Sequence, residues 1–471
     1  MNVCPSVSHA TLIVLVTLFV SFVVGCGGEK SDKQVSPVPG NDGKHRFLVL
    51  DPGHFHAALV FKRASYEGIS PVVGIYAPVQ SDFTDHMARV VPFNNRPVDP
   101  ALWQYHIHLG SDFEQAMLDE KLGDIVVLSG RNYAKIGRLL ASVRNGYSAL
   151  VDKPWIIDPA AFDSVKTVLD EAEKRGLVAY DIMTERYEIT SIVQRLLVAD
   201  QNVFGTLTKG TPEEPAAFKS SVHHLSKIVA GQQLVRPWWF FDTAVQGEGL
   251  VDITNHLVDL MFWTLYPEKA IDYTTDIEML NAKHWPTLLT QADYATVTGQ
   301  ATFPAQFALD TDGNYPYYCN GNTTFRLNGA CVKVEVIWNY MAPEGTGDTH
   351  YSIIRGTTAN VLVLQGKEQN FRPEVYVEPA QGTNPAELGS ALKAFAVSLD
   401  SGDYPGVGVV EENGRWRIDI PDSYRVGHEA HFGQVTDQFL AYLDGDPMPA
   451  WEKPNMLAKY FVTTSALKMC R

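Results

Sequence analysis

The stretch GDIVVLSGRNYAKIGRLLASVRNGYSALVDKPW, residues 123–155, decides the fold. It holds an apolar run from Ile125 to Leu128, a helical pattern closed by Gly146, and a second apolar run ending in Asp152, Lys153 and Pro154. Uninterrupted apolar runs joined by one amphipathic helix make a βαβ unit, because a parallel strand is buried on both faces and its crossover helix on one. Pro154 holds Lys153 in extended backbone at the carboxyl end of its strand, where open α/β sheets bind ligands.

Outward from this unit the pattern repeats. RFLVL (46–50) reads as a strand, HAALVFKRASYEG (56–68) as a helix closed by a glycine, and PVVGIYAP (71–78) as a strand. DPAAFDSVKTVLDEAEKRG (158–176) opens on an Asp-Pro pair as a helix should, and LVAYDIM (177–183) is a fifth strand. Right-handed crossovers then give a doubly wound parallel sheet over 46–182. Beyond Ile182 a helix at ITSIVQRLLVAD (189–200) precedes β-rich segments at YATVTGQATF (294–303), FRLNGACVKVEVIWNY (325–340) and HYSIIRGTTANVLVLQG (350–366). Strands in succession predict a second, α+β domain over 183–471, built on a large, mostly antiparallel sheet. A last helix, EAHFGQVTDQFLAYLDG (429–445), carries Phe432, Val435, Phe439 and Tyr442 at helical spacing.

Composition narrows the partners. With 38 basic against 54 acidic residues the net charge is −16, which repels phosphate backbones and excludes nucleic acid as a partner. The N-terminal ATLIVLVTLFVSFVVGC has the length of a signal segment and ends in Gly25 before Cys26. VVGC resembles a bacterial lipobox, although no Lys or Arg precedes the apolar run; an uncleaved membrane anchor is the other reading. A lipobox implies a signal peptide over 1–26, acylation of Cys26, and a flexible tether over 27–45. The chain would then be exported and lipid-anchored to the bacterial envelope, at the outer membrane because Asp is absent from position 27. Export leaves Cys319 and Cys331 either to staple a hairpin-like excursion or to stand as two buried thiols, and leaves Cys470 unassigned.

A second motif lies at GEGLVDITNHLVDLMFW, residues 247–263. Asp252, His256 and Asp259 fall at i, i+4 and i+7, one helix face, where a carboxylate can orient an imidazole that takes a proton from a hydroxyl. Together VDKPW and GLVDITNHLVD resemble the Glu-Lys-Pro and Asp-x-x-x-His-x-x-Asp signatures of the glucose-fructose oxidoreductase, inositol dehydrogenase and MocA family (Gfo/Idh/MocA), with Asp152 in place of Glu. The resemblance implies an NAD(P)-dependent enzyme acting on a carbohydrate. Lys153, Asp252 and His256 would do its chemistry, Asp259 would be structural, and a homodimer would form through the second sheet. It puts the cofactor against Gly53, His54, Phe55, Ser129, Asn132, Asp152 and Lys153. SSVHHLSKIVAGQQLVRPWWF (220–240) adds His223, His224, Arg236 and Trp238 as sugar-facing candidates, because sugars present apolar C–H faces ringed by hydroxyls.

The turn after the first strand departs from that plan. Against Gly-x-Gly-x-x-Gly, the stretch DPGHFH (51–56) keeps only Gly53, with Asp51 and His56 at the outer glycine positions. The second strand ends in Tyr76, Ala77 and Pro78, with no acid for a ribose until Asp82. Two further readings follow: a non-redox or metal-assisted glycan lyase or hydrolase that has lost NAD(P), and a carbohydrate-binding lipoprotein. In the lyase reading His54 and His56, with His106, His108 or His224, supply acid/base groups or hold a metal, while structural histidines remain the commoner use. His428, Glu429 and His431 lack the His-Glu-x-x-His spacing and read first as polar packing, with a metal or substrate contact from His428 and His431 at i, i+3 the other reading; no metal is assigned.

Overall fold

The computed structural model of the chain describes residues 42–229 and 232–471. The expected signal segment, Cys26 and most of the tether lie outside the described residues. Strands β1 (Phe47–Leu50), β2 (Val72–Ala77), β3 (Gln104–Leu109), β4 (Ile125–Leu128), β5 (Ser148–Asp152) and β6 (Ala179–Ile182) form one sheet, ordered β3-β2-β1-β4-β5-β6 and parallel throughout. The chain reverses direction across the sheet between β1 and β4. That switch point opens a crevice at the carboxyl ends of β1, β4 and β5.

The helices are α1 (His56–Leu59), α2 (Ser81–Asn95), α3 (Phe113–Glu120), α4 (Lys135–Arg144), α5 (Phe162–Lys174), α6 (Ile189–Ala199), α7 (Gln201–Phe204), α8 (Thr254–Leu265), α9 (Gln291–Thr298), α10 (Pro385–Asp400), α11 (His428–Leu443) and α12 (Glu452–Cys470). Three differ from expectation. The helix expected over 56–68 is a single turn, because Trp103 Nε1 donates to the carbonyls of Phe61 and Arg63, and the Tyr66 hydroxyl to that of Val60. Pro92 sits inside α2 and masks its pattern, and β3 is a half-exposed strand at the sheet edge with no apolar run to mark it. Residues 294–298 of the expected strand at 294–303 belong to α9, closed by a Thr290/Asp293 capping box and by left-handed Gly299.

The second sheet takes β7 (Ala217–Ser226), then, after a small hairpin of β8 (Ile228–Val229) and β9 (Gln232–Gln233), β10 (Ile277–Leu289), β11 (Tyr315–Leu327), β12 (Ala330–Met341), β13 (Thr349–Arg355), β14 (Ala359–Gln365), β15 (Glu374–Pro379), β16 (Gly408–Glu412) and β17 (Arg415–Asp419). Its order is β10-β11-β12-β7-β13-β14-β15-β17-β16, antiparallel except where β7 meets β12. Cys319 and Cys331 are buried free thiols on its neighbouring strands β11 and β12, so the staple does not form. Cys331 stands opposite Arg326, seven residues from Cys319. At about 3.3 Å per residue that is roughly 23 Å, far beyond a disulfide's reach.

The last two helices return to the first sheet, so the segment after 183 is not confined to the second. Phe432, Val435, Phe439 and Leu440 of α11 pack with Phe47, Val49 and Ile75, each large side chain contributing about 1.5–3 kcal/mol. Helix α12 packs against both sheets: Met456, Leu457 and Tyr460 join the first sheet's core, and Ala458 and Val462 the second's. Among the described residues no helix is long and apolar enough to cross a membrane.

Candidate functional site

The crevice at the switch point is a cavity of about 630 Å³, walled by the β1 turn, the end of β5, the start of α8 and the inner strands of the second sheet. At its floor Lys153 Nζ donates to Asp252 Oδ1 at 2.5 Å, and Gln246 donates to Asp252 Oδ2 at 3.2 Å. Burial works against both charges, and the pair overcomes it: Asp252 holds Lys153 above the ordinary ammonium value, and Lys153 holds Asp252 below the ordinary carboxylate value. Lys153 therefore faces the cavity as an ammonium. Burial and then the Lys153 charge push His256 well below the ordinary imidazole value, and its buried Nδ1 has no hydrogen-bond partner. His256 is a neutral base beside an ammonium acid.

The three-residue helix face does not form as expected. Asp252 precedes α8 in a non-helical conformation and spends its carboxylate on Lys153 and Gln246 rather than on His256. Asp259 points away, into a fork with Arg186 at 2.6 and 2.7 Å and toward Lys459 at 3.6 Å. It is a structural residue.

Of the sugar-facing candidates, His223 and Arg236 line the cavity, whereas His224 and Trp238 are not among its lining residues. Nδ1 of His224 meets Asp348 at 2.9 Å, and Trp238 packs on the core beneath. The aromatic wall is Trp338, whose indole lies 4.9 Å from the His223 ring and 5.3 Å from the Arg236 guanidinium, together with Phe240. Glu185, Glu188, Lys219, Asp348, His350 and His428 add to the polar lining. Burial and then Glu188 push the Glu185 carboxyl up to about 7. Apart from His428, raised as an alternative substrate contact, sequence pattern singled out none of these, since they sit on strands and helix starts distant in the chain. His428 had been read as polar packing, yet its Nε2 lies 3.4 Å from His56 Nε2 at the cavity wall. His106 and His108 stand away from the cavity, on β3, and pair with Glu120.

The β1 turn gathers His54, Phe55 and His56 at the mouth of the same cavity. His56 Nδ1 lies 3.0 Å and His54 Nδ1 3.4 Å from one oxygen of Asp152, which also accepts from Ser129 Oγ at 3.0 Å. Asn132 supports the neighbouring backbone: it donates to the Gln246 carbonyl and accepts from Lys135, which also donates to the carbonyl of Asp152. Gly53 lines only a small pocket of about 50 Å³, between the β1 turn, α2 and residues 234–240. A β-carbon there would stand 2.9 Å from Cζ2 of the fully buried Trp239. Trp239 donates to Asp82 at 2.9 Å, Arg131 bridges Asp82 and Asp51, and Arg138 takes the other Asp51 oxygen. Asp82 is thus committed to Trp239 and Arg131 rather than free for a ribose, and Asp51, at φ +50°, is neutralised by two guanidiniums.

The sequence model of the family described as "Putative oxidoreductase C terminal domain" matches residues 193–471. A solved structure described as a "putative oxidoreductase" from Parabacteroides merdae is 43% identical, with 91% of this chain and 97% of that one covered at a TM-score of 0.88. A 3-ketoreductase from Actinomadura kijaniata, solved with NADP and TDP-benzene, is 13% identical over 89% of this chain and 96% of its own, at a TM-score of 0.52. A levoglucosan dehydrogenase solved with NADH and levoglucosan is 12% identical over 90% and 97%, at 0.55. No curated protein sequence matches the chain. The chain belongs to the oxidoreductase family defined by that C-terminal domain, and its fold is that of the Gfo/Idh/MocA enzymes.

Proposed function

We propose that the cavity is the active site of a carbohydrate-converting enzyme in which Lys153 polarises a carbinol or carbonyl oxygen of the sugar and His256 carries the proton. One observation carries this reading: the ammonium of Lys153, fixed by Asp252, and the neutral His256, whose Nδ1 has no partner, face one cavity. The apolar faces of Trp338 and Phe240 and the polar groups of His223 and Arg236 suit a sugar ring. Fold neighbours solved with NADP or NADH and, in one case, levoglucosan support the substrate class.

NAD(P), when bound, supplies a hydride acceptor for oxidation at such a carbinol. His54, Phe55, Asn132, Asp152 and Lys153 line the cavity where a nicotinamide would lie. At the remaining half of the dinucleotide Trp239 crowds Gly53, Arg131 ties the turn to Asp82, and the pocket beside the glycine measures only about 50 Å³. The turn as it stands crowds the place of the pyrophosphate, and no step is assigned to the cofactor. That crowding favours a second reading, in which the same Lys153 and His256 abstract a proton from the carbon beside a sugar carbonyl without redox chemistry.

The test is extraction of the purified full chain after denaturation and assay of the extract for NAD(P), followed by turnover of sugars with NAD(P) added. Bound dinucleotide or hydride transfer upholds oxidation and sinks the non-redox reading. Neither, with conversion of a keto-sugar lost in His256→Ala, does the reverse. An exported, Cys26-anchored location and a homodimer belong to this proposal as well, the first resting on the VVGC motif and the second on the family resemblance.

A further inference from the structure

The chemistry above leaves His54, His56 and Asp152 without a task. We infer that these three side chains bind one divalent first-row transition metal ion of zinc-like preference, with its open coordination position turned into the cavity. The metal site stands on its own geometry; the placing of a sugar oxygen at the open position rests on the function proposed above.

The distances are those of a ligand set. A metal about 2.1 Å from each donor places neighbouring donors roughly 3.0–3.4 Å apart at octahedral to tetrahedral angles. His56 Nδ1 and His54 Nδ1 lie 3.0 and 3.4 Å from Asp152 Oδ2, and one ligand atom from each of the three residues lies within 4.8 Å of the others. A hydrogen bond accounts for the first contact and not for the second: Nδ1 of His54 is buried and has no hydrogen-bond partner. A metal satisfies both nitrogens at once. Two imidazoles and a carboxylate suit zinc and its transition-metal neighbours rather than calcium or magnesium.

The surroundings are built to hold the set. Ser129 Oγ fixes the Asp152 carboxylate, Lys135 Nζ fixes its backbone carbonyl, and His428 meets the far nitrogen of His56. Such contacts orient ligands around a metal. His54 precedes α1, which begins at His56, so the turn can aim both rings at one oxygen. The replacements are concerted as well. Trp239 fills the approach to Gly53, where a pyrophosphate would lie, and histidine stands at the third glycine position. Three protein ligands with one open position is the pattern of a catalytic rather than a structural metal. A sugar oxygen entering there would meet the ion on one side and Lys153 on the other.

The experiment uses the full, untagged chain in detergent, stripped with a chelator, titrated with zinc alone, passed through gel filtration and analysed for metal. One retained equivalent is expected, and cobalt in its place should give visible d–d absorption. His54→Ala and His56→Ala should each weaken retention at least about 10-fold, while His428→Ala keeps the stoichiometry. No retained zinc and no cobalt band in the wild-type chain, or equal retention in a folded His54→Ala/His56→Ala variant, overturns the inference. Lys153→Met separates the two proposals: zinc kept and sugar turnover lost upholds both. Wild-type turnover that persists once the metal is stripped overturns the placing of a sugar oxygen on the ion, and zinc retention with no conversion of any sugar overturns the function alone.

Discussion

Replacing Lys459 by methionine tests how the two sheets are held together. Lys459 is fully buried on α12, 2.7 Å from Asp181 at the end of the first sheet and 3.6 Å from Asp259 on α8. Arg186 completes the group with a fork on Asp259 and a 2.6 Å contact to Glu452. Burial works to raise the Asp259 carboxyl, and Arg186 with Lys459 overcomes it. Two cations thus serve three carboxylates, and methionine leaves one cation for three at nearly the same side-chain volume. Removing one partner of a buried pair costs about 3–5 kcal/mol, because the orphaned charge cannot reach water. Urea unfolding of Lys459→Met at pH 7 should show that loss. The deficit should shrink toward pH 5: a proton taken up by the cluster stands in for the ammonium, so the folded variant binds more protons than its unfolded chain and gains stability as pH falls. Lys459→Met/Asp181→Asn should recover at least half of the loss. A deficit below about 1 kcal/mol, or one that does not change with pH, would refute the view that this cluster is tightly balanced.

His86 predicts an acid-sensitive element outside the cavity. Neither of its ring nitrogens has a hydrogen-bond partner, and burial, then Arg89, push it down to about 4. The unfolded chain takes that proton near 6.5, so this contribution is full above pH 6.5 and is lost as pH falls to about 4, by about 3 kcal/mol; the pH profile of His86→Phe should lack it. In Gly130→Ala the new β-carbon would stand 2.1 Å from the Asp51 carbonyl oxygen, so the turn must move, and the thermal midpoint should fall by several degrees in a shift assay. His256→Ala should lower kcat about 10²–10⁴-fold on any sugar the enzyme turns over, with urea stability nearly unchanged because Nδ1 has no partner to lose. Equal loss of stability and activity would make His256 structural.

The first sheet was legible because its inner strands are buried on both faces. Ile125–Leu128 and Ser148–Asp152 had to be apolar runs, and their spacing around one amphipathic helix leaves few other folds open. The same logic placed Lys153 at a strand end, and the two signatures placed Asp252 and His256 in its company. β3 and α2 escaped notice because an edge strand needs no apolar run and Pro92 breaks the helical signal.

What only the tertiary structure decided is who partners whom. From the sequence, Asp252, His256 and Asp259 share a helix face; in the fold Asp252 leaves the helix for Lys153, and Asp259 turns to Arg186 and Lys459. The sequence showed that DPGHFH lacks the glycines of a phosphate turn. It did not show that Trp239, 186 residues after Gly53, would close over that glycine, or that Asp152 would draw His54 and His56 together. Periodicity records which face a residue buries, whereas the pairing of buried charges depends on distant segments meeting, and no local pattern encodes that encounter.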